Sequence, residues 1–177
     1  VSVSIAAGRS MAYLEGHLGG AVIRAMPNTP SMVCRGVTAC YPNPAVTAEA
    51  RQAVTELLSV CGLVEWVEVE DHIDAVTAVS GSGPAYAFYL AECMAEAGRK
   101  CGLPEDLAMR LARATVSGAG ELMHQATEDA ATLRKNVTSP NGTTAAALSV
   151  LMDDDGLQPL RDKAVAAAYN RAKELAN

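Results

Sequence analysis

The amino-acid sequence predicts an α/β segment over residues 1–70, followed by an all-helical segment over residues 71–177. Two patterns carry this prediction. Up to residue 70, short apolar runs alternate with turn-forming residues, which is typical of strands. From Asp71 onward the apolar residues recur at helical spacing and no alternating run returns. The composition agrees, because 50% of the residues are hydrophobic but only 4% are aromatic, which suits helices built from small side chains.

Four strands are predicted in the α/β segment: Val1 to Ala7, Ala21 to Ala25, Val37 to Tyr41 and Leu63 to Val69. Thr47 begins an intervening stretch whose apolar residues have helical spacing and which ends at Gly62. One amphipathic helix is expected there. Four strands with one or two helices are too few for a complete doubly wound sheet. We therefore expect the chain to begin in the middle of a domain.

Five helices are predicted in the second segment. Pro84 suits the first turn of a helix that runs to Gly102, and Pro104 begins the next one. The other three cover about Asp129 to Val137, Thr144 to Met152 and Leu157 to Leu175. Several of their faces carry Ala and Gly, which permit close helix contacts. Burial of these faces by a second subunit and burial within one chain both remain open.

Charge and composition argue against several classes of function. The 14 Lys and Arg against 20 Asp and Glu give a net charge of −6 without a basic run, so nucleic acid is not expected as a partner. The longest uncharged stretches, 75–91 and 136–152, contain Gly, Pro and polar residues and do not predict a membrane span. The cysteines never fall as C-x-x-C and the histidines stand far apart. We therefore expect no metal site, reduced and buried thiols, and a cytoplasmic protein.

The most informative stretch is the polar loop at residues 136–144, which joins two predicted helices. Free N–H groups at the start of the second helix converge on it. Hydroxyl groups are added by Ser139, Thr143 and Thr144. Asn141 and Gly142 tolerate the positive φ angles that fold backbone amides into a concave nest. Such a place suits a carboxylate or phosphate, and plain N-capping by a threonine is the alternative.

Two predicted strands end in turns that suit a flat ligand. Ala6-Ala7-Gly8 follows the first strand, and Met26-Pro-Asn-Thr-Pro30 follows the second. Ligands of open α/β sheets lie outside the carboxyl ends of the strands, where small residues let a flat ring approach the backbone. Ser80-Gly-Ser-Gly-Pro84 predicts a helix break. The break either lets a flat ligand approach the backbone closely or is a kink that packs against a neighbouring helix.

Four motifs, taken in order, resemble the pyrroline-5-carboxylate reductase family. They are MPNTP after a strand, DHIDAVTAV from Asp71, SGSGPAY from Ser80 and LRKNVTSPNGTT from Leu133. The resemblance runs from about Val1 to Leu175. It implies reduction of 1-pyrroline-5-carboxylate to L-proline by hydride transfer from NADPH or NADH, the last step of proline biosynthesis.

The resemblance also implies a two-domain organisation. Residues 1–70 would be the C-terminal part of a Rossmann-like NAD(P)-binding domain. Residues 71–177 would be an all-α dimerisation domain like the C-terminal domain of 6-phosphogluconate dehydrogenase, through which two chains interlock. The strand, G-x-G-x-x-G and helix that would hold the pyrophosphate are not in the sequence. Val1 falls well inside the family pattern, so we expect a fragment.

Carried over by position, the resemblance implies a substrate site at Ser139, Asn141, Gly142, Thr143 and Thr144. Thr144 would be the catalytic contact, with its hydroxyl hydrogen-bonded to the ring nitrogen. The nicotinamide side of the cofactor would face Ala7, Gly8, Met26, Pro27, Asn28, Thr29, Pro84 and Asn136. Two features depart from the pattern. Asn141 stands where family members often have Gly, and the acidic run Asp153-Asp-Asp155 opposes the dipole of the helix before it.

The sequence contains no paired carboxylates or catalytic triad, which fits the implied reaction. A cyclic imine is basic enough to take its proton from water, so reduction needs a hydride donor, an anchored carboxylate and correct orientation. The expected partners are this small substrate and a second copy of the chain, in a homodimer or larger assembly. A non-catalytic dimerisation and substrate-binding module is one alternative. Another imine or hydroxy-acid reductase of the same plan is the second.

Overall fold

The structure, a computed structural model, describes residues 1–176. Four strands form one sheet in the order β1-β2-β3-β4. Their bounds are Ser2–Ser4 for β1, Val22–Met26 for β2, Gly36–Pro42 for β3 and Gly62–Trp66 for β4. The predicted strands are confirmed, with shifted ends. β1 is shorter than predicted, and just beyond it the Ser4 hydroxyl accepts a hydrogen bond from the Ala6 N–H.

The sheet is mixed. β1 pairs parallel with β2, β2 antiparallel with β3, and β3 parallel with β4. The link from β2 to β3 holds only a 3₁₀ helix at Thr29–Val33. A parallel crossover needs about a dozen or more residues, so this short link returns the chain antiparallel. Because β1 and β2 are parallel neighbours, their carboxyl ends lie side by side at one edge of the sheet.

Two helices flank the strands. The sequence patterns predict α2 (Ala48–Ser59), where the Thr47 hydroxyl accepts the Ala50 N–H as an N-cap. They do not predict α1 (Met11–Leu18), which links β1 to β2. This helix has only 8 residues, so its periodicity is weak. The Ser10 hydroxyl, which accepts the Tyr13 N–H, is the local signal that marks its start.

The core of the sheet is centred on β2, where every residue is buried. Ile23 and Ala25 pack with Cys40 and Val54 of α2 on one face. On the other face Val22 packs against α1. Each fully buried aliphatic side chain such as Ile23 stabilises the fold by about 1.5–3 kcal/mol. These contacts fix the position of β2, and so the position of the turn that follows it.

The five predicted helices are confirmed as α4 to α8, and a short helix α3 precedes them. Their bounds are Asp71–Val76 for α3, Gly83–Lys100 for α4, Glu105–Gln125 for α5, Ala130–Asn136 for α6, Thr143–Leu151 for α7 and Leu157–Ala176 for α8. A π-helical turn, Thr77–Gly81, joins α3 to α4. The predicted break at SGSGP is thus one irregular turn within a helical run, with the Ser82 N–H bonded to the Thr77 carbonyl at 2.8 Å.

The described chain forms two compact units. One comprises Val1–Pro84 together with the stretch from Lys163 onward, and the other comprises Ala85–Asp162. In the first unit the last turn of α8 lies against the loop after β1, because a Cβ at Gly8 would stand 3.0 Å from the Leu175 carbonyl oxygen. The division at residues 70 and 71 stays a prediction about the domains of the intact protein.

The helices of the second unit bury few of their apolar side chains. Ala95, Ala108 and Ala112 form a small core between α4 and α5, so part of the small-residue face is buried within the chain. In contrast, Leu111 is 49% exposed and Leu122 is 55% exposed along α5. No helix in the described part of the chain is long and apolar enough to cross a membrane.

Candidate active site

Two loops meet at the carboxyl edge formed by β1 and β2. Because Ser4 pairs with Arg24 in parallel register, the loop with Ala7 and Gly8 and the turn after Met26 leave neighbouring strands at the same edge. Gly8 has a φ of +65° and lies close to the end of α8, so both its backbone conformation and its surroundings require glycine. Ala7 is exposed. The edge therefore presents small residues, as the sequence predicts.

The turn that follows β2 is held by its own side chains. Met26 is 9% exposed and packs with Ala39 and Ile73, so its side chain belongs to the core and only its backbone can face a ligand. The Asn28 carboxamide oxygen accepts the Val37 N–H at 2.9 Å. Pro27 is half-buried and Thr29 is exposed. Pro84 is the second residue of α4 and belongs to the same unit. All proposed cofactor contacts except Asn136 thus lie in the first unit.

The polar loop lies in the second unit, between α6 and α7. Asn141 has a φ of +59°, as predicted for a nest. Gly142 has a φ of −82°, so the prediction of a positive φ there is wrong. Space favours glycine instead, because a Cβ would stand 3.1 Å from the Ser139 carbonyl oxygen, which would have to move by a few tenths of an ångström. That oxygen accepts the Gly142 N–H at 3.0 Å, which closes the loop.

The first turn of α7 keeps its polar groups free. Gly142 is the N-cap and offers no side chain, so neither Thr143 nor Thr144 caps this helix. Their hydroxyls have no hydrogen-bond partner among residues 1–176, and the N–H groups of residues 143–145 find no acceptor there. Thr144 is half-buried, whereas Ser139, Asn141 and Thr143 are exposed. The capping alternative is therefore excluded, and the turn offers several donors to an anion.

The helix before the loop, α6, is capped by an acidic residue. The Asp129 carboxylate accepts the Thr132 N–H at 2.7 Å, and this hydrogen bond lowers the pKa of Asp129 from its ordinary value of 3.8. The cap is therefore fully present above the ordinary value and is lost as the pH falls through the lowered one. Asn136 ends this helix and is exposed.

We expect the Thr132 amide resonance to titrate below pH 3.8 in the native chain, because its acceptor becomes protonated. In the Asp129→Asn variant the amide oxygen keeps the cap without titrating, so this transition should vanish. Two-dimensional NMR over pH 2–6 measures both. An unchanged transition in the variant would assign the titration to another group.

A buried ionic cluster forms around Arg24 of β2, and the sequence patterns did not predict it. Arg24 is 3% exposed. Its guanidinium donates to Glu70 Oε1 at 2.8 Å and to Asp74 Oδ1 at 3.1 Å. Glu70 Oε1 also accepts the Met11 N–H at the start of α1. The cluster joins α1, β2 and α3, and an arginine inside the apolar strand VIRAM is the only local signal for it.

The cysteines behave differently from one another. Burial raises the pKa of the Cys40 thiol to about 11, so this residue is an inert part of the core. Cys34, Cys93 and Cys101 are exposed, so the prediction of buried thiols is wrong for them. Over residues 1–176, no group of three or more His, Cys, Asp and Glu side chains is arranged to hold a metal ion.

The family model described as pyrroline-5-carboxylate reductase dimerisation matches residues 70–175, more than half of the chain. The chain belongs to the pyrroline-5-carboxylate reductase family. The part of a Rossmann-like sheet and the helical domain that the resemblance implies are both confirmed, because solved reductases superpose on nearly the whole chain.

Curated and solved relatives agree with this placement. A pyrroline-5-carboxylate reductase of Pseudomonas aeruginosa is 45% identical over 176 residues, which are 98% of this chain and 64% of the relative. One of Synechocystis sp. is 42% identical, with 98% of this chain and 64% of the relative covered. The solved reductase of Coxiella burnetii has 40% identity and a TM-score of 0.93, over 99% of this chain and 65% of that one.

A further solved relative is the Plasmodium falciparum pyrroline carboxylate reductase with NADP bound. It shares 30% identity with this chain, with a TM-score of 0.82, over 99% of this chain and 67% of that one. The chain thus spans slightly less than two thirds of the length of the curated reductases that it matches, 64% for the first two. The remaining third of these longer enzymes has no counterpart among the residues of this chain.

Proposed function

We propose that this chain supplies the substrate-holding part of an enzyme that reduces 1-pyrroline-5-carboxylate to L-proline. The observation that carries the proposal is the first turn of α7, where Gly142 leaves the N–H groups of residues 143–145 and two threonine hydroxyls unpartnered among the described residues. The relatives are reductases of a substrate named as a carboxylate. A substrate carboxylate satisfies these donors and is favoured by the positive end of the helix dipole.

The loop positions the substrate without an acid or base. The hydroxyls of Ser139 and Thr143 and the N–H groups at the start of α7 hold the carboxylate, while the φ of +59° at Asn141 turns the backbone toward it. The protonated imine N–H donates to the Thr144 hydroxyl oxygen, which fixes the ring orientation. Because water provides the proton, orientation is the main contribution of these residues to the rate.

The first unit fits the nicotinamide half of NADPH or NADH. Its parallel strands β1 and β2 end side by side in Ala7, Gly8 and the turn Met26–Thr29, at the edge where a flat ring lies in such sheets. Pro84, in the same unit, is also proposed to face the nicotinamide, whereas for Asn136, in the other unit, the family resemblance alone suggests a cofactor contact. When bound, the nicotinamide supplies the hydride. One relative was solved with NADP bound, which supports a nicotinamide cofactor.

The helical segment makes a homo-oligomer the expected form, and a homodimer the simplest. The matching family model is named for dimerisation, and α6 and α7 bury none of their own side chains within the described chain. Apolar residues such as Leu122 and Val150, which are 55% and 70% exposed, would be covered by a second copy. The dispersed reduced cysteines support a cytoplasmic enzyme.

The test is an NAD(P)H oxidation assay with a chimera. Residues 1–177 are joined to the part of the Pseudomonas aeruginosa relative that the match leaves uncovered. We expect NAD(P)H consumption that requires 1-pyrroline-5-carboxylate and produces L-proline. The chain alone, which contains no G-x-G-x-x-G, is the matched control and should be at least about 100-fold slower because its cofactor is not held.

Two outcomes would overturn the proposal. A folded, oligomeric chimera without imine-dependent oxidation would favour a non-catalytic dimerisation and binding module. Equal rates on imines with and without a carboxylate would favour another imine reductase, because the anion-holding loop would then have no function in the reaction.

A further inference from the structure

The side chain of Asn28 connects two segments that are far apart in the sequence. Its carboxamide oxygen accepts the Val37 N–H at 2.9 Å, at the start of β3. Its Nδ2 donates to the Ser80 carbonyl oxygen at 3.2 Å, in the π-helical turn. Because one neighbour is a donor and the other an acceptor, the orientation of the amide is determined by its partners.

The Ser80 carbonyl needs an external donor because of a proline. In a regular helix the carbonyl of residue 80 would accept from the N–H of residue 84. Pro84 has no N–H, so this acceptor is left without its helical partner. The turn around it is irregular as well, since the Ser82 N–H bonds to the Thr77 carbonyl five residues back. Asn28 Nδ2 takes the place of the missing donor.

The end of β2 also lies close to the π-helical turn. A Cβ added at Gly81 would stand 3.9 Å from the sulfur of Met26, the last residue of β2. Met26 is itself fixed in the core with Ala39 and Ile73. Asn28 therefore ties the π-helical turn to a rigid part of the sheet.

We propose that Asn28 is a positioning residue that compensates for the missing N–H of Pro84 and holds the π-helical turn against the turn after β2. We call Asn28, Ser80 and Pro84 the amide clip. The Asn28 carboxamide already holds one backbone partner on its oxygen and one on its nitrogen, which leaves one lone pair and one N–H for other contacts. The expected effect of the amide clip on catalysis rests on the proposed reductase function. Its role in holding the π-helical turn does not.

Hydrogen exchange of the 177-residue chain tests the structural part. Asn28→Asp keeps the acceptor for Val37 but replaces the donor to Ser80 with a carboxylate oxygen. We expect the amides of residues 78–83 to exchange about tenfold faster, with Val37 unchanged. Asn28→Ala removes both bonds and should accelerate both regions. Ser31→Ala is the matched control, since the Ser31 hydroxyl on the same turn has no partner within residues 1–176.

A rescue variant makes the test independent of folding yield. Pro84→Ala restores an N–H four residues after Ser80, so Asn28→Asp combined with Pro84→Ala should recover most of the lost protection, a coupling that a double-mutant cycle measures. Unchanged exchange at 78–83 in Asn28→Asp, a uniform increase along the chain, or an unfolded double variant would each overturn the clip.

The catalytic part is tested in the chimera. A displaced π-helical turn should misplace the reacting centres, so Asn28→Asp should lower kcat by about tenfold while the KM for the imine changes less than about twofold. A loss confined to folding yield, with normal kcat for the folded fraction, would contradict the positioning role. If the native chimera were inactive, the reductase proposal would fail while the exchange data would still decide the clip.

Discussion

Replacing Thr144 with alanine should lower the rate of imine reduction by the chimera by about 10- to 1,000-fold. The hydroxyl lies half-buried in the first turn of α7 and does not cap the helix, because Gly142 is the N-cap. Its loss therefore removes the proposed contact to the ring nitrogen without removing a hydrogen bond that the described residues form. Steady-state kinetics with 1-pyrroline-5-carboxylate measures the effect.

Two controls separate orientation from helix stability. Thr144→Ser keeps the hydroxyl and should retain most of the activity. Ser149→Ala removes a hydroxyl from the same helix that donates to the Ala146 carbonyl at 2.8 Å, and it should leave the rate unchanged. If Thr144→Ala were as active as the native chimera, or if Ser149→Ala were equally impaired, Thr144 would not be the catalytic contact.

The largest loss of stability is expected for Arg24→Met. This change removes the cation from a cluster in which the Arg24 side chain is 4% exposed and the Asp74 side chain is 9% exposed, so two carboxylates lose their compensation. Breaking such a buried pair lowers the free energy of unfolding by about 3–5 kcal/mol. Urea denaturation of the 177-residue chain measures it.

Arg171→Met is the matched control. Its partner Glu174 lies at 2.7 Å, but both side chains are exposed, at 66% and 64%. Solvent screening limits such a pair to about 0–1 kcal/mol. An Arg24→Met variant that lost no more stability than this control would show that the buried cluster is not needed for the stability of the first unit.

Local patterns predicted most of the elements because they depend on spacing along the chain. Strand runs, helical spacing and the helix starts at Thr47, Pro84 and Pro104 lie within a few residues of where the structure has them. The short helix α1 was not predicted, because it offers only two turns of pattern. A break was predicted at SGSGP, but its residues do not reveal that the turn at Thr77–Gly81 is π-helical. Periodicity also does not show whether an apolar helix face is buried within its own chain or by a second subunit.

The candidate site was also only partly predictable from the sequence. The left-handed backbone of Asn141 was predictable, since it depends on the residue itself. The reason for glycine at position 142 was not predictable, because glycine occurs both where φ is positive and where a Cβ has little room. Only the folded loop shows that the Ser139 carbonyl oxygen lies close to this position. The carboxylates that bind Arg24 and the Ser80 carbonyl that binds Asn28 lie 46 to 52 residues away in the sequence, so only the folded chain reveals them.

The most direct test of the substrate-holding loop is a crystal structure of the chimera with NADP and L-proline. We expect the proline carboxylate within hydrogen-bond distance of the N–H groups of residues 143–145, with the ring nitrogen donating to the Thr144 hydroxyl oxygen. Proline bound elsewhere, with this loop unchanged and holding only water, would contradict the proposed site.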